Sequence, residues 1–560
     1  MSKVSPWTPL RNRAYLMLWT AQMGTNLGVW MQTVGAQWFL VAVGASAVFV
    51  TLVQTALTAP YVLLSLPAGV LADSHDRRRV LIAANGFAAI ICLILTGVAL
   101  TGWLEPIGLL ALTFFIGCGA AINAPAWQAV QPSLVPREQI PAAAGLASIT
   151  INGARAIGPA VAGFLVALGG PTIVFALNAV VYCAATGITL SWHSPEEKQT
   201  TPERIRPALL AGMRYVKAAP HVSRILLRTA LFTIPASALW ALLPVEASGR
   251  LRLGSGGYGM LLAFLGMGAL SGIVLLPWLR RFFSYNHIIV FMSLGYGVAT
   301  VAIAMLPPWG AAVGALLAGA SWMCTFTTLN SLLQLTLAPW VRARGMATYL
   351  FTVMCAQALG APAWGVVATM TSATKALIAA GLALLVLVPL SVWAWPLYPK
   401  TGQLDISHDP FSHDLSMAHE IDPEVGPVQV QVSYRVRAVE AERFVQAMRP
   451  VRLSRLRTGA ISWSLTHRLE DSGLFFERFA LPTWGEYMRQ QNQRMTGFDR
   501  ANIRAALRYV NDEPRVRREL PAAIVIDEED ESELSAQQAA AFPIVEEADI
   551  PMDEKPESGS

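Results

Sequence analysis

The chain has 560 residues, of which 54% belong to the AVILMFWYC set and only 14% are charged, against about 25% charged in a soluble globular protein. The charge is uneven: residues 1–400 hold 23 Lys and Arg against 8 Asp and Glu, residues 401–560 hold 18 against 28, and the net +5 hides that split. These figures exclude a single soluble domain and a secreted disulfide scaffold. They also exclude a nucleic-acid partner, because the cations sit between apolar runs and not on one solvated face.

A helix needs about 20 mostly apolar residues to cross a bilayer. Such runs recur near 14–43, 47–71, 80–101, 107–130, 142–167, 172–192, 222–245, 257–279, 287–306, 309–337, 346–370 and 375–398. They predict a polytopic all-α membrane protein with twelve spans. No small-x-small cleavage site follows the first run, which therefore reads as retained and not as a signal peptide. With the N-terminus inside, 19 of the 23 cations fall on inside segments and only Arg250, Arg252 and Lys375 outside; Arg155 lies within a run. That split obeys the positive-inside rule and puts both termini in the cytoplasm. Cys92, Cys118, Cys183, Cys324 and Cys355 are scattered through apolar segments and read as small buried hydrophobes.

The longest break, 193–221, is polar and then amphipathic. It reads as a cytoplasmic connector between a first six-helix half (1–192) and a second (222–400). Leu134-Val135-Pro136 is echoed by Leu337-Ala338-Pro339, and Gly158-Pro159-Ala160 by Gly360-Ala361-Pro362. A weak internal repeat of this kind is common in transporters. In the fifth run Ser148, Asn152, Arg155 and Pro159 share one helix face. An Arg at that depth is costly in hydrocarbon and should face a cavity or a partner. Gln22, Asn26, Trp30 and Gln37 fall near one face of the first run. With Asn123 and Trp127 in the fourth, Trp240 in the seventh, Asn330 and Gln334 in the tenth and Gln357 in the eleventh, they are candidates to line a central cavity. Helix–helix hydrogen bonding is the alternative use of each. Trp, Gln and Asn with almost no charge suit an amphiphilic or aromatic small molecule better than a small ion. No span carries a mid-depth carboxylate, and Asp73 and Glu246 lie near helix ends. No phosphate-binding G-x-x-x-x-G-K-S/T motif is present, which disfavours direct ATP drive, and nothing calls for a cofactor or metal.

Gly69-Val70-Leu71-Ala72-Asp73-Ser74-His75-Asp76-Arg77-Arg78-Arg79, between the second and third runs, resembles the G-x-L-A-D-R-x-G-R-R/K loop of the major facilitator superfamily. Ser74 and Asp76 depart from that pattern. Pro9-Leu10-Arg11-Asn12-Arg13, Trp30-Met31-Gln32 and Leu134-Val135-Pro136-Arg137-Glu138 resemble the superfamily's enterobactin-exporter-like branch. The resemblance covers roughly 9–400. It implies a bacterial inner-membrane transporter in which Gly69, Asp73, Arg77, Arg78 and Arg79 form a latch that breaks as the halves rock; the Arg run alone also serves topology. Asn152, Arg155, Gly158, Pro159 and Gly163 partly match the antiporter motif of exporters in the superfamily. The function implied is secondary export of small amphiphilic molecules (drug, siderophore or metabolite) by alternating access. An importer on the same fold, or a sensor regulated through the soluble part, is the alternative. A membrane enzyme would need His or carboxylate clusters at the membrane, which the sequence lacks.

Residues 401–427 hold six acids and no Lys or Arg and read as a linker; His408, His413 and His419 there are weak metal candidates. Residues 428–520 alternate and read as strand (428–436), helix (438–457, with Phe444, Met448 and Leu453 inward), strand (460–469), strand (474–479), helix (483–493) and helix (498–510). The order resembles the ferredoxin-like fold of antibiotic-biosynthesis-monooxygenase-type domains, which often pair through their sheets, so a homodimer through this domain is one expected partnership beside lipid and small-molecule substrate. Trp463, His467 and Trp484 are the only enzymatic candidates there, and a regulatory or dimerising module is the better reading. Residues 521–560 carry twelve acids and Lys555 alone, an acidic tail.

Overall fold

The computed structural model describes residues 5, 7–192, 218–395 and 422–520. The described residues hold twelve long helices: α1 (Arg13–Ala42), α2 (Ala47–Ser74), α3 (Arg77–Leu100), α4 (Pro106–Val130), α5 (Ile140–Gly169), α6 (Pro171–Ser191), α7 (Pro220–Ser248), α8 (Ser255–Phe282), α9 (Tyr285–Met305), α10 (Pro308–Thr336), α11 (Arg342–Met370) and α12 (Ala373–Ala394). Eleven are long and apolar enough to cross a membrane. The exception is α1, long enough but diluted by Gln22, Asn26, Gln32 and Gln37, of which Gln32 and Gln37 are buried. The apolar runs anticipated the helices to within a few residues. Larger misses include the starts of α3 and α11, where Arg77–Arg79 and Arg342–Arg344 belong to the first helical turn, and the end of α12. Arg side chains can reach toward the headgroups from a helix end, so a helix outruns its apolar stretch.

Helices span because each satisfies its own backbone hydrogen bonds where no water can. Their outward faces are apolar: Leu63, Ile90, Leu93, Leu168, Val180, Val274, Val313 and Val386 are exposed. Trp103, Trp309 and Trp393, at loops or helix ends, are also exposed, as residues of interfacial aromatic belts are. Cys183 is exposed as well, against the expectation of burial; a lipid-facing position is as apolar as a core. All five cysteines are free.

Packing repeats with a shift of six helices. In the first half α1 packs on α5 and α6, α3 on α4 and α6, and α2 on α4; in the second α7 packs on α11 and α12, α9 on α10 and α12, and α8 on α10. The halves meet through α2 against α11 and α5 against α8, a pair of contacts that the same pseudo-symmetry exchanges.

A small α+β unit follows. Strand β1 (Val428–Arg435) pairs antiparallel with β3 (Leu474–Leu481) and with β4 (Arg515–Glu519), and β2 (Ser462–His467) pairs with β3, giving the order β2-β3-β1-β4. Helices α13 (Ala441–Thr458), α14 (Trp484–Arg489) and α15 (Gly497–Leu507) complete it, with a π turn at Gln490–Arg494 between the last two. The unit's core joins alternate strand residues Val430, Val432, Tyr434, Phe475 and Phe479 to Phe444, Met448, Val451 and Ile503. Two corrections to the sequence reading follow. Leu453 is exposed, because the buried stripe of α13 runs Phe444, Met448, Val451, Arg455, Thr458 at helical spacing. Strand β4 was not anticipated: its only apolar residue is Val516, and it forms because β1 offers it a free edge.

Candidate functional site

The loops α1–α2, α3–α4, α5–α6, α7–α8, α9–α10 and α11–α12 define one end of the bundle, called distal here; the other end is proximal. Hydrogen bonds between the halves lie from mid-depth to the distal end. Gln37 Nε2 donates to the Trp240 carbonyl at 3.3 Å, and its Oε1 accepts from the Tyr258 hydroxyl at 3.1 Å. Gln54 Nε2 donates to Gln357 Oε1 at 3.5 Å, and Thr55 Oγ1 to the Ala358 carbonyl at 3.0 Å. Glycines bring the backbones together in the same region. A Cβ on Gly163 would overlap the Gly259 Cα, and one on Gly259 would stand 2.7 Å from the Gly163 Cα. A Cβ on Gly365 would overlap Thr51 Oγ1 and stand 3.1 Å from the Val48 Cα. Small residues are what permit such close crossings in a bilayer, where Leu gains nothing by leaving lipid.

Below this seal, at mid-depth, aromatic rings cross the seam between the halves. The Arg155 guanidinium of α5 lies over the Trp30 ring of α1, 5.4 Å from its centroid. Trp30 stands 5.6 Å from Trp240 of α7, Trp240 5.8 Å from Trp322 of α10, and Trp322 4.4 Å from Phe326. Phe232 and Tyr296 pack on the same Trp322. Gly158 permits the start of this ladder: a Cβ there would come within 2.8 Å of Trp30 Cβ. Tyr349 of α11 is within electrostatic range of Arg155. Around the ladder Arg155 Nε, Trp240 Nε1, Trp322 Nε1, Tyr349 Oη and Thr233 Oγ1 are buried and make no hydrogen bond. Buried donors in a native structure are nearly always paired, so these groups take their partners from water or from a bound molecule.

The structure thus brings together Trp30, Gln37, Arg155, Gly158, Trp240 and, against Gln54, Gln357. It does not gather the other cavity candidates. Asn123 is buried and donates to Asn85 Oδ1 at 2.9 Å, a contact between α4 and α3. Trp127 packs in a first-half cluster with Tyr15, Leu18 and Val130. Asn26 donates to the Gln22 carbonyl of its own helix at 2.8 Å, and Gln334 donates to Asn330 at 2.6 Å. Pro159 is buried within α5. The side chains of Asp73, Ser148 and Asn152 lie outside the described part, as do His408, His413 and His419. Sequence reasoning missed Trp322 and Tyr349, though each had a signal. Trp322, Phe326, Asn330 and Gln334 form one stripe at spacing four, and Tyr349 leads by Val353 to Gln357.

At the proximal end Asp76 caps α3, its side chain accepting from the Arg78 N–H at 2.8 Å. Arg77 donates to the Ala129 carbonyl at 3.4 Å and Arg78 to the Leu190 carbonyl at 2.7 Å, which ties α3 to the last turns of α4 and α6. Arg79 and Asp76 stand 3.8 Å apart in an exposed pair. A Cβ on Gly69 would meet nothing within 4 Å. In the soluble unit the three enzymatic candidates do not converge. Trp463 Nε1 donates to the buried Glu477 at 2.9 Å, Trp484 packs on Tyr487, and the exposed His467 lies near Phe475.

Twelve helices in two pseudo-symmetric halves, sealed at one end over a mid-depth site on the seam, define a transporter of the major facilitator type. The chain belongs to the transmembrane secretion effector family of that superfamily, whose family model matches residues 4–524. Among curated relatives it is 24% identical over 278 residues to the staphyloferrin A transporter of Staphylococcus aureus, covering 50% of this chain and 70% of that one. It is 28% identical over 334 residues to the enterobactin exporter EntS of Escherichia coli O1:K1, covering 57% of this chain and 76% of that one. The fold is shared with a bacterial homologue of the human lysosomal transporter Spinster, at a TM-score of 0.57 and 14% identity over 70% of this chain and 98% of that one. It is shared also with a bacterial homologue of the iron transporter ferroportin, at 0.53 and 18% over 68% and 98%.

Proposed function

We propose that this chain is a secondary exporter that moves small amphiphilic molecules, siderophore-type chelators among them, out of the cytoplasm by alternating access. The observation that carries the reading is the seam site: Arg155 over Trp30, a ring ladder that reaches Trp322 in the other half, and buried donors left unpaired around it. A guanidinium above an indole offers charge and a flat apolar surface together, which suits an aromatic or anionic amphiphile. The names of the staphyloferrin A and enterobactin transporters support the siderophore class. The cation distribution supports the proximal end as cytoplasmic, so the distal seal closes the seam toward the outside. In that reading Arg77 and Arg78 hold the first half together as a body that rocks, while Asp73 and the Arg run act as the latch of the opposite state.

The test is accumulation of a tris-catecholate chelator, and separately of ethidium, in energised inverted membrane vesicles. The wild type should accumulate at least one of them. Arg155→Ala and Trp240→Ala should each slow uptake about tenfold, the effect of losing roughly 1.4 kcal/mol of interaction. Asp73→Asn should slow turnover without weakening binding of the probe. Equal accumulation in wild type, variants and vesicles lacking the protein would sink the exporter reading.

A further inference from the structure

The helices of the soluble unit cover the sheet face that carries Val430, Val432, Tyr434, Phe475 and Phe479. The other face is set by the register. One row across it reads Ser464, Arg478, Gln431, Arg517, and the next reads Thr466, Phe476, Ser433, Arg515. Arg478, Arg515 and Arg517 are exposed, and among the described residues no carboxylate pairs with them. Arg468 and Arg478 both lie over the central Phe476 ring, at 5.6 and 5.7 Å. Arg435, at the edge, is already paired with Asp471 and Asp512, and neither row holds an acid; Glu519 stands in the neighbouring row, beside Gln429. Like charges gathered on one sheet face repel, so the face is poised for an anion. All 17 cations of residues 428–520 are Arg and none is Lys, the side chain that binds carboxylates in a planar fork.

The chain itself supplies the matching charge. Immediately after β4 come Ile524-Val525-Ile526 and then Asp527-Glu528-Glu529-Asp530-Glu531-Ser532-Glu533. Asp527 lies seven residue steps beyond Leu520. An extended stretch of that length reaches about 23 Å, and four strands are about 15 Å across, so the acids can reach every row. We propose that the open face of the soluble sheet is a docking surface for the chain's own acidic tail, with residues 527–533 lying over Arg478, Arg515 and Arg517 and the Phe476 ring. The tail then occupies the face that would otherwise attract anionic lipid or a second copy.

The test uses the full-length protein in phosphatidylcholine nanodiscs with p-benzoylphenylalanine at position 476, irradiated and mapped by mass spectrometry. The expected adduct joins position 476 to the 521–560 region of the same chain, with a yield independent of protein concentration. It should fall at least tenfold in 0.5 M NaCl and in the triple variant Arg478→Glu, Arg515→Glu, Arg517→Glu. It should return when that variant also carries Asp527→Lys, Glu528→Lys, Glu529→Lys and Asp530→Lys. If the triple variant does not fold, the salt series on the otherwise native chain decides. Adducts on lipid, on a second copy or on the helical bundle, or an intrachain adduct indifferent to salt, would overturn the proposal.

Discussion

Buried charges in this protein are treated in two different ways, and the difference separates structure from function. Arg455 and Glu477 are buried in the soluble unit, at 1% and 0% side-chain exposure, with the Arg455 Nε donating to Glu477 Oε1 at 3.2 Å. Tyr434 and Trp463 also donate to that carboxylate, at 2.7 and 2.9 Å, and the Arg455 guanidinium lies over Phe479. In the bundle, Arg228 is buried near the proximal end and donates to Asn286 at 2.7 Å and to the Trp395 carbonyl at 2.6 Å, which ties α7 to α9 and caps α12. Near the distal end Glu246 is buried, accepts from Arg250 and from Thr374, and Arg250 reaches the Ile303 and Leu306 carbonyls. These groups have partners on neighbouring elements and hold a fold. Arg228 also leaves its Nε unpaired, but both of its terminal nitrogens are bonded, whereas Arg155 stands over the Trp30 ring at the seam proposed to open. Breaking the soluble network should therefore cost stability and not transport. Glu477→Ala leaves Arg455 buried without its counter-charge, a loss of about 3–5 kcal/mol. Glu477→Gln keeps an acceptor for Tyr434 and Trp463 and should cost less. Denaturant unfolding of the full chain checks the order, and equal midpoints for the two variants would refute it.

At the scale of elements, the soluble unit meets the bundle where Trp340 and Arg494 come together. Trp340, between α10 and α11, donates its Nε1–H to the Arg494 carbonyl at 3.2 Å, and the Arg494 guanidinium lies 4.9 Å from the Trp340 ring centroid. Arg494 sits in the π turn after α14 and is fixed by Glu486, with contacts of 2.5 and 2.9 Å. Burial alone would raise the Glu486 carboxyl, but hydrogen bonds and charge from Arg494 and Arg489 outweigh it and hold the pKa below the ordinary carboxylate value. A depressed folded-state pKa gives stability that is present above the unfolded value and is lost as pH falls through the folded one. The Trp340 contact should thus survive from pH 7 to 5 and weaken only at a pH below the ordinary carboxylate range, where Glu486 takes up its proton. The difference in fluorescence between wild type and Trp340→Phe reports it. Loss of that difference already at pH 5, or the same acid response in Glu486→Gln, would contradict the assignment. The docking turn also shows where sequence reading stops. Twelve apolar runs are legible because the bilayer fixes their length and solvent, and the alternation of β1 and β3 is legible because one face is buried. Strand β4, with Arg at three of its five positions, is indistinguishable from a loop until β1 is beside it. The Trp340–Arg494 contact and the ladder from Trp30 through Trp240 to Trp322 join residues far apart in the chain, and no local pattern encodes such neighbours.

For the whole molecule, the seam has two parts with opposite requirements. The mid-depth site needs rings and unpaired donors from both halves, so it is complete only while the halves are together. In the proposed cycle the distal seal must hold in one state and part in the other; beside apolar packing it holds polar contacts, Gln37 with Tyr258 and Trp240 and Gln54 with Gln357, and close crossings at Gly163–Gly259 and Gly365–Thr51. Glycine makes this seal reversible, since backbone contact is gained by approach and no interlocked side chain has to withdraw. It also makes the seal fragile, because a side chain at Gly163 would occupy the space of Gly259. A two-state equilibrium moves by the differential cost of the change in the two states, and a branched side chain at Gly163 is costly only where α5 and α8 touch. Gly163→Val should therefore shift the protein toward the state open at the distal end. Ala167 and Gly256 supply a reporter, because a Cβ on Gly256 would stand 3.6 Å from Ala167 Cβ, within the roughly 3.5–4.5 Å separation of bridged cysteines. In a chain with the five native cysteines replaced, Ala167→Cys with Gly256→Cys should cross-link readily under mild oxidant. Adding Gly163→Val should lower the initial rate about tenfold, a shift of roughly 1.4 kcal/mol, while Gly97→Val, which meets open space on the outward face of α3, should leave it unchanged. An undiminished rate in the Gly163→Val protein would mean that the glycine crossing does not control closure, and the distal seal would then have to be sought in the glutamine contacts alone.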